Sequence, residues 1–274
     1  MVKALLLALI VGTWNGKWFP SGRADHRANP EVEAATIKSS GKMIARGLRQ
    51  ADTNGTEDVI LVFNEIRNRE VAEALVAAIG RTNLVMASIS QYRRRNRLDY
   101  QQDFIATTLP VVEANWANWE YRENANPPRG YAFASVVVEP AVTARVYAVH
   151  LKSNYGAKDP ATALYNRLAR SNAVEQVISR ESASKYVILA GDFNADKWKK
   201  EFTEEAVFPM LEKAGYANPL EQLSKRARWT YPNKRYGNSA LDYIMVKGFD
   251  ASEKPFKVPN DELSDHYLLL TRIK

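Results

Sequence analysis

The stretch that decides the fold reads Val187-Ile188-Leu189-Ala190-Gly191-Asp192-Phe193-Asn194-Ala195-Asp196. Its four leading apolar residues are typical of a buried strand, and Gly191 ends the run. Because the end of a strand is rigid, we expect Asp192 and Asn194 to lie at fixed positions on the open edge of a sheet. Such a pair suits metal-assisted attack on phosphate, since the acid can orient or deprotonate a water and the amide can donate to a phosphate oxygen. An ordinary Asp/Asn turn after a strand is the alternative interpretation.

The composition indicates one folded domain over residues 1–274. The chain is 46% hydrophobic and contains six Trp and thirteen Tyr, which is enough for a sizeable core. The net charge of +7 favours a polyanionic partner, such as nucleic acid, an anionic membrane or a phosphorylated substrate. There is no Cys, so disulfides, thiolate chemistry and Cys-ligated zinc are excluded.

The N-terminal segment allows two interpretations. Lys3 followed by the apolar residues 4–11 resembles a short signal peptide. We favour a core strand over 4–14, because cleavage near Gly12 would remove the strand that positions Asn15. A leader upstream of Met1 stays open, and a secreted or periplasmic location is slightly favoured over a cytoplasmic one. No run is long enough to span a bilayer, so we expect no membrane insertion, and we expect a monomer.

The chain mixes many strands with a few long helices. The spacing predicts helices over 31–50, 71–79 and 161–180, a polar loop over 17–29, a basic loop over 92–97 and an irregular segment through Trp229. It predicts strands over 4–14, 59–63, 84–89, 104–108, 111–114, 131–138, 144–150, 187–190, 241–246 and 266–273. Two pairs of neighbouring strands are expected, 104–108 with 111–114 and 131–138 with 144–150. Consecutive strands favour two mainly antiparallel sheets packed face to face with helices outside, an α/β (α+β) fold.

Polar residues follow or interrupt several of these strands. Asp242 lies inside a hydrophobic strand, where a buried carboxylate needs a partner. His266 would serve, because a carboxylate orients an imidazole and raises its pKa. The whole set comprises Asn15, Glu65, His150, Asp192, Asn194, Asp242, Asp265 and His266.

These motifs and their order resemble the endonuclease/exonuclease/phosphatase superfamily, and within it the DNase I-like endonucleases most. The resemblance covers residues 15 to 266, and the runs 191–196 and 264–267 match most closely. It implies a four-layer α/β sandwich and a divalent metal, usually Mg²⁺, with Mn²⁺ as an alternative and a structural role for Ca²⁺ left open.

The resemblance also implies roles for the site residues. Glu65 is the metal carboxylate, with Asn15 beside it and Asp265 supporting the metal side. His150 and His266 contact the scissile phosphate, and one of them acts as general acid or base. In the remaining roles, Asp192 orients or activates the water, Asn194 donates to phosphate, and Asp242 supports His266.

Substrate contacts are implied for Arg67, Tyr100 and Arg129, which match DNA-contacting positions of DNase I. Solvated surface charge for the two arginines and core packing for the tyrosine are the alternatives. Two positions depart from the family pattern: Asn64 stands where Gln is usual, and Gln102 stands where DNase I has a Glu that pairs with the first histidine. Gln102 is grouped with the substrate-binding residues, and it leaves a general-acid role for His150 in doubt.

The function favoured by these observations is a divalent-metal-dependent endonuclease with little sequence preference that acts on double-stranded DNA, with RNA left open as a second substrate. Two alternatives are an abasic-site endonuclease or 3′ exonuclease of the exonuclease III type, and a sphingomyelinase-like phosphodiesterase. A binding module without activity is disfavoured, because no core catalytic position is substituted. The charge and the arginine-rich loop, which carries Arg93, Arg94, Arg95 and Arg97, favour nucleic acid over a zwitterionic lipid.

Overall fold

The computed structural model describes residues 8–25, 27, 29–235, 237–259 and 262–274. Its helices are α1 (Pro30–Ala51), α2 (Arg69–Ile79), α3 (Pro160–Arg180) and α4 (Val207–Lys213), with short 3-10 turns at Lys200–Phe202 and Pro219–Gln222. Its strands are β1 (Leu9–Phe19), β2 (Asp58–Ile66), β3 (Val85–Ile89), β4 (Arg93–Arg94), β5 (Arg97–Leu98), β6 (Gln102–Thr107), β7 (Val111–Asn118), β8 (Gly130–Glu139), β9 (Val142–His150), β10 (Val187–Asp192), β11 (Tyr216–Ala217), β12 (Asp242–Lys247), β13 (Phe256–Val258) and β14 (Leu268–Ile273).

Two six-stranded sheets form the centre of the molecule. The first has the order β13-β14-β1-β2-β6-β3 and the second has the order β11-β12-β10-β9-β8-β7. Most neighbours are antiparallel, and each sheet contains one parallel pair, β1 with β2 and β9 with β10. The expectation of two mainly antiparallel sheets with flanking helices is therefore confirmed.

The core lies in two layers that follow from the alternation of side chains along the strands. Val11, Ile60 and Val146 belong to the cluster between the sheets, which extends to α3 through Val177. On the other face of the first sheet, residues such as Phe63 pack with α1 and α2 in a second cluster. The arrangement is helix, sheet, sheet, helix.

The long helices begin and end where short-range chemistry favours it. Asn29 and Asp159 accept hydrogen bonds from the first turns of α1 and α3, each directly before a proline. Gly80 ends α2 in the left-handed conformation at φ 68°, as its position in the sequence predicts. These boundaries agree with the predicted helices to within a few residues.

Four expectations need correction. Strand β1 continues through Phe19, so 17–29 is not all loop, and residues 4–7 of the predicted strand lie outside the described residues. The basic loop contains the small hairpin β4–β5. Strands β6 and β7 do not pair, because β6 lies between β2 and β3 while β7 pairs with β8 in the other sheet. Helix α4 occupies part of the segment predicted to be irregular.

The strand pairing brings polar residues together at one end of the sandwich. Asn15 is in register with Asn64, and Asp192 is in register with both His150 and Asp242. Residues that are far apart in the sequence therefore meet at one edge. No helix of the described residues is long and apolar enough to cross a bilayer.

Candidate active site

Asn15 lies at the centre of the site and joins two carboxylates. Its Nδ2 donates to Oε1 of Glu65 at 3.1 Å and to Oδ2 of Asp192 at 3.0 Å. Its Oδ1 accepts the backbone N–H of Lys17 at 2.9 Å, which fixes the amide in this orientation. Asn15 and Asp192 are buried, whereas the Glu65 side chain keeps a small exposed fraction. Two carboxyl groups are thus held together on one amide donor.

The backbone around these groups has unusual conformations. Gly191 has φ 140°, and a Cβ there would lie 1.9 Å from the Val149 carbonyl oxygen, so no other residue fits this close approach of two strands. Glu65 at φ 61° and Asn194 at φ 51° adopt the left-handed region, which is costly for residues with a side chain. Such conformations concentrate at functional sites, and here they aim the side chains of both strand ends into one cluster.

His150 faces both carboxylates without a hydrogen bond to either. Its Nε2 lies 3.7 Å from Oε1 of Glu65 and 3.6 Å from Oδ2 of Asp192. Within the described residues, its Nδ1 has no hydrogen-bond partner. Burial, with the charges of Arg129 and His266, lowers the pKa of His150 well below its usual value. The imidazole is therefore neutral at physiological pH.

His266 has the opposite protonation state. Its Nδ1 donates to Oδ2 of Asp242 at 2.8 Å, and the Thr230 hydroxyl donates to the same oxygen at 2.6 Å. Burial alone would lower the pKa of His266, but Asp242, with the charges of Asp192 and Asp265, raises it to about 10. The ring of Tyr231 packs against the imidazole at 4.9 Å between centroids. The structure therefore places Asp242 and His266 in direct contact.

Asp192 lies between the two histidines. Its Oδ2 is 4.0 Å from Nε2 of His266, and its Oδ1 accepts the backbone N–H of Asn194 at 2.8 Å. Burial, followed by the negative charge of Asp242, raises the pKa of Asp192 to about 7 against the opposing effect of His266. A carboxylate with a pKa near neutrality is a competent base for water.

Asn194 and Asp265 lie on the rim of the cluster. The side-chain amide of Asn194 donates to the Leu151 carbonyl at 3.1 Å, so a bond to phosphate would use its second hydrogen. Oδ1 of Asp265 is 4.0 Å from Nε2 of His266, and Oδ2 is 3.3 Å from Nζ of Lys17. The structure brings both residues to the site, as their order in the sequence predicts.

Ser264 fixes the segment that carries Asp265 and His266. Its hydroxyl donates to the Asn15 carbonyl at 2.7 Å and accepts the backbone N–H of His266 at 3.1 Å. Ser264 thereby ties the last motif of the chain to the first strand.

Asn64 and Asp103 are site residues whose roles the sequence did not reveal. Asn64 accepts the backbone N–H of Asp192 at 2.9 Å and donates to Oδ1 of Asp103 at 2.8 Å and to the Val149 carbonyl at 3.0 Å. Burial raises the pKa of Asp103 to about 8. The hydrogen bonds of Asn64 to Asp192 and Val149 link the two sheets beneath the site, and its bond to Asp103 joins neighbouring strands of the first sheet. The sequence offered one hint of this role, because Asn64 stands where the family usually has Gln.

The four predicted substrate contacts lie in different environments. Arg67 forms a two-pronged ion pair with Glu33 at 2.5 and 2.8 Å, so its charge is already compensated. Tyr100 is half exposed rather than packed in the core. Arg129 donates to Oε1 of Gln101 at 2.7 Å and to the His150 carbonyl at 3.4 Å, which places it beside the site.

Gln102 is buried and, among the described residues, has no hydrogen bond to His150, which corrects its grouping with the substrate-binding residues. Its Oε1 accepts the Ser90 hydroxyl, and its Nε2 donates to the carbonyls of Tyr92 at 3.2 Å and Asp99 at 2.6 Å. Tyr92 and Asp99 flank the hairpin β4–β5. Gln102 therefore holds together the base of the arginine hairpin, defined here as residues 93–98.

The residues present fit a divalent cation. Within the described part of the chain, Asp192, Asp242 and His266 offer ligand atoms that lie close together. Oδ2 of Asp242 is already shared by His266 and Thr230. Glu65, whose side chain keeps a small exposed fraction, is the carboxylate better placed to hold an ion, with Asn15 and Asp192 beside it. Carboxylate oxygens are the ligands that hard cations such as Mg²⁺ prefer.

Comparison with known proteins decides the family. The profile described as Endonuclease/Exonuclease/phosphatase family matches residues 41–266. The chain belongs to the endonuclease/exonuclease/phosphatase family. Its members are hydrolases that act on phosphodiester bonds and generally use divalent metals. No match was found among curated proteins.

Solved structures show the fold of this endonuclease/exonuclease/phosphatase chain. A family member from Beutenbergia cavernae matches with a TM-score of 0.69 and 16% identity, over 98% of this chain and 72% of that one. The 3′ phosphatase NExo from Neisseria, bound to a product DNA hairpin, matches with a TM-score of 0.64 and 16% identity, over 96% of this chain and 98% of that one. Sphingomyelinase C from Streptomyces griseocarneus matches with a TM-score of 0.60 and 17% identity, over 97% of this chain and 99% of that one. These neighbours have different substrates, so the fold alone does not select one.

Proposed function

We propose that this protein is a divalent-metal-dependent endonuclease that hydrolyses phosphodiester bonds in double-stranded DNA with little sequence preference. One observation carries the proposal: the exposed arginine hairpin is bonded at its base to Gln102, and the next residue, Asp103, contacts Asn64 beneath the site. The site itself is a buried cluster in which a neutral and a charged imidazole flank a basic carboxylate. A phosphodiester in a polyanion matches both parts, because the hairpin attracts the strand and the cluster attacks the phosphate.

The side chains divide the chemistry according to their protonation. Asp192 takes the proton of the attacking water, for which its pKa of about 7 suits it. His266 stays protonated, since its pKa is about 10, and donates a charge-assisted hydrogen bond to a phosphate oxygen. Neutral His150 orients the phosphate or the water and does not serve as a general acid in this state.

A divalent cation, held by Glu65 with Asp192 and Asn15 beside it, would neutralise the charge that develops on the phosphorane-like transition state. Mg²⁺ is the expected ion and Mn²⁺ the expected substitute. Asp265 supports the same side of the site through its position near His266 and Lys17.

The sphingomyelinase-like alternative is supported by the fold similarity and by the presence of both histidines. The exposed arginines favour a polyanion over a zwitterionic headgroup, which ranks that alternative lower. The exonuclease III-type alternative shares the fold and differs in where the strand is cut.

Supercoiled plasmid separates these functions. We expect nicked circles and then linear DNA with Mg²⁺, and intact circles in EDTA. Shortening of linear DNA with untouched circles would replace the endonuclease by an exonuclease. Hydrolysis of sphingomyelin vesicles with no action on either DNA would overturn the nuclease proposal.

A further inference from the structure

The segment that follows His150 is held rigidly at its backbone. Arg129 donates to the His150 carbonyl at 3.4 Å, and Arg170 donates from Nη1 to the Lys152 carbonyl at 2.5 Å. The backbone N–H of Leu151 donates to the Asp192 carbonyl at 2.8 Å. Lys152 therefore emerges from the rim of the active site at a fixed point, two residues after a histidine of the site.

Arg170 supplies this rigidity without leaving a free charge. Arg170 is fully buried and forms two hydrogen bonds with Glu205. Its Nε donates to Oε2 at 3.0 Å, and its Nη2 donates to Oε1. Its Nη1 also donates to Oδ1 of Asn154 at 3.2 Å. The pair is structural: Arg170 is neutralised and anchors residues 152–154.

Lys152 differs, because its ammonium has no hydrogen bond or ion pair with any of the described residues. Burial, followed by the positive charges of Arg129, Arg170 and Arg94, lowers the pKa of Lys152. Arg94 belongs to the arginine hairpin and likewise has no carboxylate partner within the part of the chain that the structure describes. The hydrogen bonds of Arg129 go to neutral oxygens. Burial alone would lower the pKa of Arg129, but Tyr92 and the carboxylates of Glu65, Asp103 and Asp99 raise it, so its charge is compensated. Lys152, which pairs with no carboxylate of the described residues, is therefore the cation at this rim that favours an anion beside it.

We propose that Lys152, beside Arg129 at the rim of the site, binds the phosphodiester that neighbours the scissile phosphate in the same nucleic acid strand. The inference rests on the proposed function and adds a substrate requirement to it. The scissile phosphate occupies the cluster around Asp192, so the next anion along the strand is another phosphodiester. Lysine contacts phosphate as a point charge with three donors, which tolerates the variable geometry of neighbouring linkages.

The test uses a short DNA duplex in which one linkage is an uncharged methylphosphonate. Cleavage at each linkage is measured on a sequencing gel, beside the same duplex with phosphodiesters only. For the wild-type protein, we expect cleavage at one linkage adjacent to the neutral position to fall roughly 10-fold, the size of one lost charge-assisted hydrogen bond.

Lys152→Gln should cut the all-phosphate duplex roughly 10-fold more slowly and should show no further loss from the neutral linkage. Lys152→Arg should restore the dependence on the neighbouring charge. Lys158→Gln is the matched control, because this exposed lysine lies on the same loop, and it should behave as the wild type. Circular dichroism checks that each variant is folded.

Equal losses from the neutral linkage in the wild type and in Lys152→Gln would overturn the subsite while leaving the nuclease proposal intact. Absence of cleavage of the all-phosphate duplex by the wild type would overturn both. An equal loss at every linkage when the wild-type protein cuts the duplex with the neutral linkage would also overturn the subsite, because the neighbouring charge would then act only as a general electrostatic field.

Discussion

The active-site cluster and the arginine hairpin lie near each other and are built on opposite principles. In the cluster, side chains such as Asn15, Asp192 and Asp242 are buried and bonded to one another, so their pKa values depend on burial and on neighbouring charge. In the hairpin, both two-residue strands are exposed. Under the proposed function, the difference teaches that chemistry is placed on rigid strand ends, while attraction of the polyanion is left to a solvated surface.

This division makes the two regions separable by experiment. Substitutions in the cluster should reduce turnover on every phosphodiester, whatever its size. Substitutions in the hairpin should affect long DNA and spare small substrates. The following predictions either break this separation or sharpen it.

The largest effect is expected for Glu65→Gln. Loss of a carboxylate beside Asn15 removes a cation ligand, so we expect most activity to disappear and the affinity for Mg²⁺ measured by calorimetry to fall. The fold should remain intact, since this side chain is isosteric. Glu70→Gln, in the first turn of α2, is the control and should retain activity. Full activity of metal-stripped wild-type protein in EDTA would contradict the metal assignment.

The histidines come next. We expect His150→Ala and His266→Ala each to reduce turnover roughly 10²–10⁴-fold, as for loss of an acid–base or phosphate-contacting group. His266 should matter at least as much, because Asp242 supports it whereas Nδ1 of His150 has no partner among the described residues. The measurement is initial rate on plasmid and on a small phosphodiester reporter. Near-normal turnover of His266→Ala would refute its role.

Asp242→Asn should lower the pKa of His266 while the fold stays intact. The pKa of His266, about 10 in the wild-type protein, should fall toward or below the ordinary 6.5, because the opposing charge is gone while burial remains. A raised pKa means that this pair stabilises the folded state fully below pH 6.5 and that the contribution is lost as pH rises through about 10. Titration by NMR and unfolding at several pH values measure both. An unchanged His266 pKa would show that Asp242 is not its main partner.

The smallest effect on chemistry is expected for the quadruple Arg→Gln variant at positions 93, 94, 95 and 97. Contacts to phosphate release counterions, so log K falls with log salt at a slope of about −0.9 per neutralised phosphate. The variant should bind duplex DNA more weakly and with a shallower slope, while its sequence preference changes little. Parallel lines with equal intercepts for the two proteins would leave the hairpin without a role in DNA binding.

Much of the site could be predicted because its residues come in a fixed order at strand ends. The ordered set from Asn15 to His266 is gathered at one edge of the sandwich, and the Asp242–His266 contact follows from the need of a buried acid for a partner. The helix boundaries were also accessible, since caps, prolines and Gly80 act locally.

The rest depends on pairings between distant segments. Gln102 and Asp103 are neighbours on β6, so their side chains point to opposite faces, and only the register of β6 against β2 shows that Asp103 meets Asn64. The separation of β6 from β7 into different sheets has no local signal around Pro110. The compensation of Arg67 by Glu33 likewise requires the packing of α1 beside β2.

The most direct test of the division between chemistry and attraction is the salt dependence of two rates of the wild-type protein. Nicking of supercoiled plasmid and hydrolysis of a small phosphodiester reporter are measured under the same Mg²⁺ concentration while NaCl is raised. We predict that plasmid nicking at subsaturating DNA falls steeply with salt, whereas reporter hydrolysis stays nearly constant, because only the plasmid engages the exposed arginines. Parallel decline of both rates, or no decline of either, would contradict the account.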